Sequence, residues 1–102
     1  MPYFVVIRDR GDAWDWSQPM RRQPRFAEHA AFMDALTEEG FILAGGPLGG
    51  EDDAARVLHV VNAPNEDAVR SRLNEDPWPL SMLQLASIER WTVLLGGFGA
   101  AR

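Results

Sequence analysis

Two segments, Tyr3 to Arg8 (YFVVIR) and Arg56 to Asn62 (RVLHVVN), limit the folds open to this chain more than anything else in it. Each is a short run of β-branched and aromatic residues closed off by turn-forming residues, which is the pattern of a strand. Alternation sends Tyr3, Val5 and Ile7 to one face and Phe4 and Val6 to the other. In the same way it separates Val57, His59 and Val61 from Leu58 and Val60. Both faces of both strands are therefore largely apolar, as expected of inner strands covered on both sides.

The remaining elements follow from local signals. Pro24 suits the first position of a helix, and Phe26, Ala30, Met33 and Leu36 then recur at helical spacing until Gly40 stops it. Phe41 to Ala44 reads as a second strand, and Gly45 to Asp53 as a turn-rich connection. After Ala63-Pro64, Asn65 is a good N-cap for a helix that opens with Glu66 and Asp67. Val69, Leu73 and Asp76 are spaced i, i+4, i+7 on that helix, which Pro77 ends. Leu85 to Leu95 is a fourth strand. The order βαββαβ is that of a ferredoxin-like α+β sandwich, with the first and third strands central. Two helices cover one face of such a sheet only, so the second apolar face predicts a homodimer with sheets packed face to face. Residues 1–97 form one domain, and residues 98–102 a short tail.

Composition removes several functions. The chain of 102 residues carries a net charge of −5, and its ten basic residues are scattered arginines with no lysine, which argues against a nucleic-acid partner. Without cysteine there is no disulfide framework, thiolate nucleophile or cysteine-ligated metal. Two histidines far apart make a metal site a poor reading, and no cofactor motif is present. No basic region precedes the first apolar run and no run is long enough to span a bilayer, so the expected setting is cytoplasmic, with no membrane partner.

Topology brings the chemistry together. His29 lies near the start of the first helix and Asp76 near the end of the second, and both ends fall on the same side of the sandwich. Three loops emerge there: the long one from Asp9 to Gln23 with Trp14 and Trp16, the glycine-rich one with Gly46 and Pro47, and Pro77-Trp78-Pro79. Aromatic walls with few polar groups describe a small-molecule pocket. His29 and Asp76 are the candidate catalytic pair, because a carboxylate fixes the tautomer of an imidazole used as general acid or base. Arg8, Trp14, Trp16, Gly46, Pro47 and Trp78 are candidate substrate-binding residues, with Arg8 offering a charge to an acidic ligand. His59 reads instead as a packed or dimer-interface residue. The glycine-rich loop lacks the lysine of a phosphate-binding loop. Pro2, a possible amine base after loss of Met1, falls at the opposite end of the first strand.

The ordered set EHAAFMDAL, GFILAGGPLG, DPW and ERWTVLL resembles the YCII-related (YciI-like) family over almost the whole chain, to about Gly97. That resemblance implies a dimeric ferredoxin-like α+β barrel and a histidine–aspartate dyad falling on His29 and Asp76. Relatives include a dehydrochlorinase of a chlorinated hydroxyquinol, and similar barrels include muconolactone isomerases. The Trp14–Trp16 loop is longer here than in the shortest members. The expected function is that of a small lyase or isomerase in which His29, oriented by Asp76, moves a proton on a small cyclic or aromatic organic acid. The alternative is a non-catalytic metabolite-binding or interaction module acting as a dimer. A third reading, a domain modulating a partner enzyme, would use the tail for attachment.

Overall fold

The computed structural model describes residues 2–98. The chain runs β1 (Tyr3–Arg10), a 3-10 turn (Met20–Arg22), α1 (Phe26–Glu38), β2 (Ile42–Pro47), β3 (Arg56–Asn62), α2 (Glu66–Leu73) and β4 (Leu83–Trp91). β1 pairs antiparallel with β3 on one side and β4 on the other, and the sheet order is β2-β3-β1-β4. This is the ferredoxin-like arrangement, with the two doubly apolar strands inside.

Alternation along β1 decides which face the helices cover. Phe4, Val6, Arg8 and Arg10 are buried while Tyr3, Val5, Ile7 and Asp9 are half-buried. The core gathers Phe4 and Val6 with Val61 from β3, Ile42 from β2, Leu36 from α1, and Val69 and Leu73 from α2. Val6, Leu36, Val61 and Val69 are fully enclosed, and each contributes roughly 1.5–3 kcal/mol by leaving water. On the other face, Tyr3, Val5 and Ile7 stand in register with Asn62, Val60 and Leu58. Phe98 packs its ring edge-on against Tyr3 and Trp91 at the margin of that face. Residues 99–102 of the expected tail lie outside the described residues, as does Met1.

Element boundaries differ from the sequence reading in instructive ways. β2 continues through Gly45, Gly46 and Pro47, which pair with His59, Leu58 and Val57. A proline is tolerated there because β2 is an edge strand with one side free of ladder bonds. β4 ends at Trp91, and Leu94 and Leu95 beyond it are 86% and 91% exposed. The Trp14–Trp16 loop is tied down through Gly11 and Ala13, whose amides donate to the Met82 and Ser81 carbonyls. A Cβ at Gly11 would collide with the Ser81 carbonyl oxygen, so this close approach requires glycine.

Candidate active site

Local backbone structure places the two central side chains. α1 starts at Phe26, two residues later than Pro24, because the chain turns into it through Arg25 in the left-handed conformation, φ 61°. That conformation is uncommon for a residue with a Cβ. The Pro24 carbonyl, turned out of the helix, accepts the indole Nε1–H of Trp78 at 2.7 Å. His29 follows within the first turn of the helix. α2 ends at Leu73, so Asp76 does not lie on a helical face; it occupies the turn that follows. Its amide donates to the Leu73 carbonyl and its Oδ1 accepts the Trp78 N–H at 2.9 Å, an Asx-type turn that aims the carboxylate inward.

His29 Nδ1 lies 2.8 Å from Asp76 Oδ1 and 2.9 Å from Oδ2, and Arg8 Nη2 donates to Oδ2 at 3.0 Å. The Trp78 indole stacks on the imidazole with centroids 3.8 Å apart and planes 12° from parallel. The Asp76 and Arg8 side chains are 1% and 3% exposed, that of His29 13%. Burial pushes the Asp76 carboxyl up, but the hydrogen bond and charge of His29, the Trp78 N–H and the Arg8 charge together outweigh it, holding the group below the usual carboxylate range. An ionised Asp76 takes the Nδ1–H, which leaves the Nε2 lone pair as the free basic site of the ring. Burial draws the Arg8 guanidinium down from its ordinary value and Asp76 opposes this, so the pair is an internal ion pair. The sequence assigns Arg8 to an acidic ligand; in the fold its charge is matched by Asp76 instead.

A cavity of about 350 Å³ opens beside the pair, lined by His29, Trp14, Trp78, Gly46 and Pro47 among others. Of the residues singled out in the sequence, Arg8 and Asp76 line a second cavity, which shares Trp78 with the first, and Trp16 lines neither. Trp16 is 52% exposed and leans on Trp14 from outside, ring centroids 6.2 Å apart. The loop has no regular alternation to carry both rings inward: Trp14 packs with Trp78, Met82 and Leu83, and Trp16 stays outside that cluster. At the mouth, Arg21 makes a two-pronged ion pair with Glu51, and the Met20 amide donates to Asp52, so the tryptophan loop is joined to the β2–β3 turn.

Among the other lining residues, Arg10 is not singled out in the sequence and His59 is not assigned there to the cavity. Arg10 follows Phe4, Val6 and Arg8 on the buried parity of β1, and that parity was the available signal. It donates to the Ala54 and Glu51 carbonyls, both at 2.7 Å, and lies over the Trp14 ring at 4.1 Å. His59 is packed, as expected, but on the helix-facing side opposite Val6 rather than on the open face. It borders the cavity, and neither ring nitrogen has a hydrogen-bond partner among the described residues. Burial, reinforced by the Arg8 and His29 charges and opposed by Asp76, pushes its pKa down to about 3, so it is a neutral imidazole. Among the described residues, no group of three or more His, Cys, Asp or Glu side chains is placed to hold a metal, and no helix is long and apolar enough to cross a membrane.

The family model of the YCII-related domain matches residues 1–92. Among solved structures, the chain is similar to 5-chloro-2-hydroxyhydroquinone dehydrochlorinase of Burkholderia phenoliruptrix in complex with 2,5-dihydroxybenzoquinone. The two are 24% identical with a TM-score of 0.58, and the match covers 88% of this chain and 93% of the other. No curated protein matches the sequence.

Proposed function

The chain belongs to the YCII-related domain family, and on that premise we propose that it is a small-molecule lyase or isomerase in which His29 moves a proton on a cyclic or aromatic organic acid. The observation that carries this reading is the 2.8 Å contact between His29 Nδ1 and a buried, ionised Asp76. It fixes the tautomer with Nε2 free, on a ring that lines the cavity. Nε2 takes a proton from an acidic C–H or O–H of the ligand, and Asp76 balances the imidazolium that forms. In a lyase, the electrons of the broken C–H bond become a double bond while a leaving group departs from the neighbouring carbon with its bonding pair. In an isomerase, the proton returns to a different carbon. Trp78, stacked on the imidazole and held by the Pro24 carbonyl, keeps the ring in plane. The similar dehydrochlorinase, bound to a dihydroxybenzoquinone, supports a ligand of this size and shape.

In this reading the protein works in the cytoplasm as a homodimer, joined through the sheet face of Tyr3, Val5, Ile7, Leu58 and Val60. The family resemblance and the apolar character of that face support the pairing. The chemistry is tested by deuterium exchange in D2O, using a panel of cyclic enols, lactones and hydroxylated aromatic acids. The expected result is catalysed exchange that falls by roughly 10²–10⁴-fold in His29→Gln. Exchange that is indifferent to His29 would refute the role. Binding across the panel, seen as tryptophan quenching without any exchange, would favour the non-catalytic module.

A further inference from the structure

Two residues that line the cavity carry buried donors without acceptors. Arg10 Nε and Trp14 Nε1 are buried and neither finds a protein acceptor among the described residues. Both residues line the same cavity as His29, and the guanidinium lies over the Trp14 ring at 4.1 Å. An unmet buried donor costs on the order of 1–3 kcal/mol, more when charged. Two of them on neighbouring side chains, with the His59 ring nitrogens also unpartnered among the described residues, call for a partner.

The charge of Arg10 tells the same story. Its terminal nitrogens donate to two backbone carbonyls, those of Ala54 and Glu51, and no carboxylate is within hydrogen-bond distance among the described residues. In the adjacent turn Glu51 bonds Arg21 and Asp52 the Met20 amide, and Glu51, Asp52 and Asp53 act on the Arg10 charge through space without a side-chain hydrogen bond to it. Arg8, the other buried cation, is paired with Asp76. Arg10 is thus a fixed cation, 8% exposed, whose hydrogen bonds go to neutral carbonyls and which borders a cavity. The two carbonyls and the indole fix its orientation in advance, which lowers the entropy cost of using it.

We propose that Arg10 and Trp14 form an oxyanion subsite that holds the acidic oxygen of the ligand, a carboxylate or enolate, while His29 addresses a proton elsewhere on the same molecule. This rests on the reading of the cavity as an organic-acid site and adds which residues recognise the acid. A guanidinium N–H and an indole N–H both donate, and neither accepts, so the subsite rejects a neutral amide whose N–H2 faces it.

The test compares 2,5-dihydroxybenzoate with 2,5-dihydroxybenzamide, the same ring with and without the negative charge, by calorimetric titration. Wild type is expected to prefer the acid. Arg10→Gln should lose that preference by roughly 10–100-fold, and Trp14→Phe, which keeps the ring and removes the N–H, by a smaller factor. Because Arg10 also ties two loops together, the same titration is read in 15N-labelled wild type. The Arg10 Nε–H and Trp14 Nε1–H signals should move further with the acid than with the amide, whose neutral carbonyl oxygen is the weaker acceptor. If the acid binds while both signals stay in place, or while Arg10→Gln keeps the full preference, the subsite is wrong and the His29 chemistry stands. If wild type binds neither probe, the organic-acid reading and the subsite fall together.

Discussion

Asp76→Asn looks like a clean chemical probe, and the structure says it is not one. The carboxylate receives three donors, from His29, Arg8 and the Trp78 amide. Asparagine keeps one acceptor oxygen for them and turns an N–H2 group toward the rest. The greater loss is the charge: Arg8 is 3% exposed and Asp76 is its ion-pair partner. Removing one member of a buried pair leaves an uncompensated charge and costs about 3–5 kcal/mol, a large share of the roughly 5–15 kcal/mol available to a domain. Urea unfolding at pH 7.5 should therefore place Asp76→Asn about 3 kcal/mol or more below wild type. The control is Arg8→Met with Asp76→Asn, which removes both charges and refills the space with an apolar chain of similar length. The double variant should be more stable than Asp76→Asn alone, with a coupling of about 2 kcal/mol or more. A single variant within about 1 kcal/mol of wild type, or a double variant at the sum of its parts, would refute the argument that Arg8 and Asp76 depend on each other. Loss of activity in the single variant is interpretable only beside this measurement.

Three further outcomes are expected. The pKa of His59 is about 3 in the folded chain, against an ordinary value of 6.5, so below pH 6.5 the unfolded chain takes a proton that the folded one refuses. Stability should fall as pH drops toward 3, by about 2 kcal/mol more in wild type than in His59→Gln between pH 7.5 and 5; parallel pH profiles would count against a neutral buried imidazole among Arg8, His29 and Asp76. Gly45→Ala would place a Cβ 2.9 Å from His59 Nδ1 and 3.1 Å from the Leu58 carbonyl; it should cost about 1–3 kcal/mol, part of it recovered by adding His59→Ala, and a neutral result would mean that β2 shifts freely. Sedimentation at micromolar concentration should give a dimer mass, reduced to the monomer by Ile7→Lys on the open face, whereas a monomeric wild type would remove the dimer.

How much of this is legible in the sequence depends on whether the information is local. The strand parity of Phe4 and Val6, the glycine stop at Gly40 (φ 80°) and the Asn65 cap, whose side chain accepts the Ala68 amide, are written in neighbouring residues and can be read there. Topology then carries His29 and Asp76 to one end of the sandwich, and their side chains meet there. What cannot be read depends on partners far along the chain. Arg8 and Arg10 share the same strand parity, yet one meets a carboxylate from residue 76 and the other two carbonyls of the β2–β3 turn. Trp14 and Trp16 are two apart in a loop without periodicity, and only packing against Met82 and Leu83 decides which turns inward. Helix ends mislead for a similar reason, since the Trp78 bond to Pro24 and the Asx turn at Asp76 override the propensities of proline and of the α2 spacing.

The Asp76 carboxylate is joined to Arg8 across 68 positions and to His29 across 47. Contacts of such separation form late, because the closure entropy of a long loop comes before any reward from its contacts. During synthesis, a chain that has reached Leu73 already holds His29, Arg8 and two hairpin-forming strands, but no anion to orient the ring. The pairing of His29 and Arg8 with Asp76 is therefore completed only once the turn after α2 is in place, so a chain that stops at Leu73 has both partners and lacks the anion that joins them.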